Sequence, residues 1–296
     1  MADVIASPSV RKRAAERGVD LAALARDLGR ETIGQEDITG AAPAGPAAGA
    51  PAADTSHWEV DHAAWGPVRE APMSRFARVA AQNLAAAQAL IPAVTHHDRA
   101  DLTGVEAFRA RVREEARAEG VRLTTLAFHV KALARCLRDF ERFNASLSAD
   151  GETLILKDYV HVGIAVDTAH GLMVPVIRDA DRKGLLRIAA EIGDLAARAQ
   201  ARKIRPDEMG GASMTISNLG GIGGTAFTPI VNPPELAILG ITRTEVVPLW
   251  DGEAFRPVPM APLDLSYDHR VINGADAARF LAAHAGYLAD PRRMLV

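Results

Sequence analysis

Residues 41–53 consist entirely of alanine, proline and glycine, and Asp54, Thr55 and Ser56 prolong the stretch. A segment with no large apolar side chain has nothing to bury, so it behaves as a semi-extended spacer. The chain must therefore fold as two pieces, 1–40 and 57–296, joined by a linker over 41–56. The first piece is near the lower limit for folding without a metal or disulfide, whereas the second suffices for one large core.

Composition removes several classes. Apolar residues make up 48% of the chain, charged residues 24%, and the formal net charge is -3, which argues against disorder and against polyanion binding by the whole chain. A single cysteine, Cys136, allows no disulfide framework and points to a reducing compartment. It lies in an alanine- and leucine-rich helical stretch and reads as a core residue. No apolar run approaches the ~20 residues that cross a bilayer, and the N-terminus lacks an export signal, so a soluble, cytoplasmic protein is expected.

In the short piece, Ser7 or Ser9 can cap a helix running to Arg17, Gly18 can end it, and Asp20 can cap a second helix over 21–28. Arg11, Lys12, Arg13 and Arg17 make the first helix basic; on an arbitrary helix that would be an ordinary solvated face. In the long piece the patterning predicts helices over 74–90, 105–119, 126–137 and 185–203. Strands are expected over 160–166, 172–177, 213–217, 237–242 and 263–267. Helices and strands intermix, which is the order of a layered α/β domain.

The most informative stretch is Asp268-His269-Arg270-Val271-Ile272-Asn273-Gly274, which follows a strand and opens a helix containing Ala275, Ala278, Phe280 and Leu281. Neutral imidazole accepts a proton near pH 7, and a histidine between two rigid elements is held in place. Elsewhere, Ser217 ends a strand and precedes Gly220-Gly221-Ile222-Gly223-Gly224. Those glycines lack the Lys-Ser/Thr of a phosphate loop and the order of a dinucleotide site, so they read as permitting a tight chain path. Adjacent His96 and His97 would face opposite ways on a strand, and no Cys/His cluster has zinc spacing, so no metal site is expected.

The heptapeptide resembles the D-H-R-x-x-D-G signature of dihydrolipoamide acyltransferases, a motif related to that of chloramphenicol acetyltransferase. Phe143-Asn144-Ala145-Ser146, Ala165-Val166-Asp167-Thr168 and 171–177 extend the resemblance, and 215–230 looks especially like the acetyl-transferring branch. The implied fold is α/β: a chloramphenicol-acetyltransferase-like two-layer catalytic domain with a mixed sheet, preceded by a small all-helical subunit-binding domain. Carried onto this chain, the family's mechanism makes His269 the base that takes the proton from the coenzyme A thiol. Ser217 becomes the hydroxyl donor to the oxyanion of the tetrahedral intermediate. Asn273 stands where most members have Asp, so it brings no charge and is left to orient or cap. Asp167, Arg109 and Asn218 are the implied residues along the coenzyme A path.

Residues 4–40 resemble the peripheral subunit-binding domain of the same enzymes, through 6–11, 18–21 and Glu36-Asp37-Ile38. This implies a decarboxylase or dihydrolipoamide dehydrogenase partner, with Arg11, Lys12 and Arg17 as the contact face. The usual glycine-rich loop is replaced by 26–32. None of the five lysines has the setting of a lipoyl lysine. The acyl-carrying arm is then expected from a missing segment or from another chain. The resemblance further implies a homotrimer with active sites between subunits, and the apolar end Met294, Leu295 and Val296 suggests a plug joining trimers into a larger particle. Branched-chain or succinyl transfer, or a scaffold without activity, remain the alternatives.

Overall fold

The computed structural model describes residues 4–16, 19, 21–40 and 56–295. The expected linker over 41–56, except Ser56, and with it Arg17, Gly18, Asp20 and Val296, lies outside the described residues. Contacts divide the chain into two compact units, Met1–Ala71 and Pro72–Val296.

In the first unit, α1 (Pro8–Glu16), α2 (Leu21–Leu28) and α3 (Gln35–Gly40) enclose Val10, Ala14, Ile33 and Ile38. Ser7 caps α1, accepting from the Val10 N–H at 3.3 Å. The third helix was not anticipated. Asp37 holds its start by accepting from the Gly34 N–H at 2.8 Å and pairing with Arg30.

The second unit is built on a seven-stranded mixed sheet. Its strands are β1 (Ala93–Asp101), β4 (Val162–Ala165), β5 (Val176–Ile177), β6 (Met214–Asn218), β7 (Ala237–Ile241), β8 (Glu245–Trp250) and β9 (Phe255–Asp268). The order is β1-β9-β7-β6-β4-β5, with β8 also on β9; only the β4–β6 and β6–β7 pairs are parallel. A separate hairpin pairs β2 (Ala145–Leu147) with β3 (Leu154–Leu156). The expected α/β class with a mixed sheet and a helical unit ahead of it is what the structure shows.

The sheet's two faces differ because side chains alternate along each strand. One face, with Ile164, Ile216, Leu239, Leu263, Leu265 and Tyr267, joins α7 (Thr125–Asp139), α8 (Leu185–Gln200) and α9 (Gly274–Ala289) in the main core. Phe143 stacks on Phe280 there at 4.1 Å. The other face carries Thr215, Asp264, Ser266 and Asp268, all buried. Ile238 on this face packs with Ala87 and Ile91 at the end of α4 (Arg75–Leu90), and with Val231.

The helix expected over 74–90 is α4, and Ser74 caps it, accepting from the Ala77 N–H at 3.1 Å. The helix expected over 105–119 is instead two, α5 (Thr103–Arg111) and α6 (Arg113–Ala118), because Val112 leaves helical geometry at φ -94, ψ 8. The strand expected over 172–177 shrinks to β5, since Met173 and Pro175 keep only isolated bridges, to Val166 and Met209. Met294 also departs from expectation: it is buried in this chain's own core rather than forming part of an exposed tip.

Between α7 and α9 lie two fully buried histidines, with His129 Nδ1 3.2 Å from His284 Nε2. Burial lowers the pKa of His129 to about 4 and, with the neighbouring His129, pushes His284 well below 6.5. The unfolded chain therefore binds more protons than the folded one below pH 6.5. Stability is fully present above that pH and falls as pH drops toward 4, by about 1.4 kcal/mol per unit for each histidine. Thermal midpoints between pH 7.5 and 5 should drop steeply; replacing both residues by leucine should flatten that slope, and an unchanged slope would refute the assignment.

Candidate active site

His269 sits in the turn between β9 and α9, exposed at its ring and fixed at its backbone. Its N–H donates to Pro92 O at 3.2 Å, while the Val271 and Ile272 N–H groups both donate to Asp268 O. The Asp268 carboxylate, 1% exposed, would be costly without partners. Arg270 supplies them, donating from its backbone N–H at 3.0 Å, from Nε at 2.9 and 3.1 Å, and from Nη2 at 2.6 Å. This two-residue clamp closes around His269. Tyr267 lies alongside, its ring centroid 5.8 Å from that of the imidazole.

Asn273 is the N-cap of α9, its Oδ1 accepting from the Asp276 N–H at 2.9 Å. Asp at this position would cap equally well, whereas Leu would remove about 1 kcal/mol of helix stabilisation beside the His269 turn. Asn273→Asp should keep, and Asn273→Leu should lower, any turnover that depends on His269. Equal rates in a steady-state assay would show that the cap does not matter to His269.

Ser217 lies near the end of β6, half-buried, on the polar face. Its strand is anchored two residues earlier, where Thr215 Oγ1 donates to buried Glu235 at 2.9 Å and Asn232 Nδ2 adds a second bond at 3.1 Å. Burial raises the Glu235 pKa. Register aligns Ser217 with Ala165 on one side and Gly240 on the other, and Gly240 with Asp264. A Cβ on Gly240 would come within 2.7 Å of the Phe227 ring, so that ring lies over the glycine beside Ser217. Phe227 was within the stretch that the sequence singled out but carried no assigned role; the contact that places it is tertiary and leaves no local pattern.

The same register separates Ser217 from His269. Two strand spacings and five residues, the last just past the end of β9, lie between them, which amounts to roughly 19 Å. A proton acceptor and an oxyanion donor acting on one thioester must stand within a few ångströms of the same atoms. Within one chain these two residues do not meet.

The remaining candidates scatter. Exposed Asp167 follows β4, its backbone carbonyl accepting from Gln200 Nε2 at 2.7 Å. Asn218 is exposed beside Ser217, its Oδ1 accepting from the Gly220 N–H at 2.9 Å to start the glycine-rich path. Arg109 pairs with Glu106 at 2.8 Å and lines a different cleft, of about 720 Å³, with Arg113, Arg117 and Arg122. In the first unit, Arg11 turns back to its own chain, donating to Val4 O at 2.7 Å and Ala6 O at 3.2 Å, while Lys12 and Arg13 are exposed.

The structure thus holds a mixed-sheet α/β unit with a clamped histidine at a strand end and, separately, a three-helix N-terminal unit. The family model for the catalytic domain of 2-oxoacid dehydrogenases acyltransferase matches residues 66–296, and that for the e3 binding domain matches residues 4–30. The chain belongs to the 2-oxoacid dehydrogenase acyltransferase family. Over its full length it is 48% identical to the dihydrolipoyllysine-residue acetyltransferase component of the pyruvate dehydrogenase complex of Azotobacter vinelandii, of which it spans 48%. The chain spans about half the length of the curated relatives it matches first.

Two solved structures each superpose with a TM-score of 0.79, over 80% of this chain and 98% of theirs. One, 50% identical, comes from a crystallographic and enzymatic investigation of a serine, a histidine and an asparagine in the catalytic mechanism of Azotobacter vinelandii dihydrolipoamide acetyltransferase. The other, 51% identical, is the cubic core of the pyruvate dehydrogenase multienzyme complex. No helix among the described residues is long and apolar enough to cross a membrane.

Proposed function

We propose that this chain transfers an acetyl group between a dihydrolipoyl thiol and coenzyme A, as the core component of a pyruvate dehydrogenase complex. The observation that carries the reading is a spacing. In the Azotobacter enzyme the investigated serine and histidine stand 52 residues apart and the histidine and asparagine four, as do Ser217, His269 and Asn273 here. His269 takes the proton from the coenzyme A thiol, and the thiolate attacks the acetyl carbon of the dihydrolipoyl thioester. The former carbonyl oxygen, now negative, accepts a hydrogen bond from the Ser217 hydroxyl. Collapse expels the dihydrolipoyl sulfur, which receives the proton from His269. No covalent acyl-enzyme is needed. Asp167 and Asn218, exposed at the Ser217 end, border the substrate path, and the arginine cleft around Arg109 suits the phosphates of coenzyme A.

The distance between Ser217 and His269 supports a homotrimer in which one chain's histidine faces its neighbour's serine. Likeness to a cubic core supports further assembly. The match to the e3 binding domain supports dihydrolipoamide dehydrogenase as a partner, with Arg11, Lys12 and Arg17 offering the basic contact; a decarboxylase is the other candidate. The lipoyl group arrives on a segment outside this sequence or on another chain. Phe227, whose ring packs over Gly240 beside Ser217, supports a short acyl group such as acetyl over branched-chain and succinyl groups. An intact Ser217 and His269 favour an enzyme over a scaffold.

Acetyl transfer from acetyl-CoA to free dihydrolipoamide tests the reading, with isobutyryl-CoA and succinyl-CoA as competitors. Acetyl should be the preferred group. Failure to transfer any of the three would overturn the assignment, and preference for another would overturn its acetyl part.

A further inference from the structure

The chain pairs a half-exposed histidine with a buried aspartate away from His269. In the β1–β9 register His97 stands opposite Asp264, and its Nδ1 lies 2.6 Å from Asp264 Oδ1. Asp264 is 1% exposed, and a carboxylate so far from water needs donors on both oxygens. His97 supplies the first, its Nδ1–H donating. The Phe227 N–H supplies the second, donating to Asp264 Oδ2 at 3.3 Å. One carboxylate thus ties an outer strand to the end of the glycine-rich connection.

What it ties down is the ring beside Ser217. Gly240, which pairs with both Ser217 and Asp264, has no side chain, and a Cβ there would meet Phe227 at 2.7 Å and the Asp264 Cβ at 3.1 Å. Ring, carboxylate and glycine therefore occupy one packed row. The neighbouring rung, where Thr95 Oγ1 and Ser266 Oγ lie 2.7 Å apart, closes on itself. The His97 side chain is 49% exposed, so its contribution to the core is small compared with its bond to Asp264.

We propose that His97 is a positioning residue which, through Asp264, holds Phe227 in place beside Ser217 and so helps set the length of acyl chain accepted. The proposal rests on the acyl-transfer reading above. Without the His97 donor, Asp264 Oδ1 is left unpaired, the carboxylate swings toward water or toward the connection, and Phe227 loses its fixed station. Asn at position 97 can offer Nδ2–H near the place of the imidazole Nδ1–H; Leu cannot.

The assembled protein is compared with His97→Leu, His97→Asn and Asp264→Asn. Each is assayed for kcat/KM with acetyl-CoA and with butyryl-CoA, and for amide hydrogen exchange over 222–230. His97→Leu should lower the acetyl-to-butyryl ratio at least ~10-fold, the lower end of what a displaced pocket wall does to a small chain-length difference. It should also speed exchange in that segment, and His97→Asn should restore both. If His97→Leu does not fold, Asp264→Asn, which keeps the shape but not two acceptor oxygens, should shift the ratio the same way. An unchanged ratio and unchanged exchange would overturn the proposal, as would His97→Asn behaving like His97→Leu. A wild-type protein that transfers neither group overturns the acyl-transfer reading instead, while the exchange comparison still decides whether His97 anchors the Phe227 segment.

Discussion

Replacing His269 by alanine should reduce acetyl transfer at least ~100-fold, the lower end of what a positioned acid–base group contributes. The expectation follows from where the ring stands. The clamp of Asp268 and Arg270, the His269 N–H bond to Pro92 and the Asn273 cap all use backbone or neighbouring side chains, so removing the imidazole leaves each in place. Folding and particle size should be unchanged by circular dichroism and light scattering. The loss should appear in kcat, with little change in the affinity for coenzyme A. Residual activity above a tenth of wild type would remove His269 from the role of base.

Ser217→Ala should lower kcat by ~100 to 1000-fold, because the hydroxyl bond is strongest to the oxyanion. The more discriminating result comes from mixing. Ser217 and His269 stand roughly 19 Å apart in one chain by strand spacing, so on the proposed trimer each site would take one residue from each of two subunits. Trimers made only of Ser217→Ala chains should be nearly inactive, and so should trimers made only of His269→Ala chains. In trimers assembled from equal amounts of both, about a quarter of the interfaces join an intact serine to an intact histidine, from the independent choice of two subunits around a cyclic trimer. Co-expressed variants should recover about that share of wild-type activity. Recovery no greater than the sum of the separate variants would sink the shared site.

The short-range features were legible because their causes are local. Ser74 caps α4 and Asn273 caps α9, and the heptapeptide around His269 is contiguous. The first part of β9 was hidden, because Pro257 and Pro259 suppress the strand signal; both are tolerated where β9 pairs with β8 in a hairpin. β1 was legible only conditionally, since Thr95, His96, His97, Asp98 and Arg99 have no apolar alternation, and the partners that accept its polar side chains lie some 170 residues away. The break at Val112 involves neither glycine nor proline and left the helical pattern intact. Phe227 and Asp264 stayed unread for the same reason as β1: what gives them meaning is the sheet row they share with Gly240, a relation between distant segments.

The alternation at the end of β9 has a genetic consequence. Leu263, Leu265 and Tyr267 belong to the main core, whereas Asp264, Ser266 and Asp268 point to the face that carries Ser217. Within these six consecutive codons, the parity of the residue number sorts the phenotype. In a saturation scan, shortening an odd-numbered side chain depletes the protein itself through a lost core contact. Isosteric changes at even numbers, such as Asp to Asn, leave abundance near normal and alter turnover or selectivity. Six positions of one strand would then appear as two interleaved alleles classes, one recovered by lowering the growth temperature and the other indifferent to it.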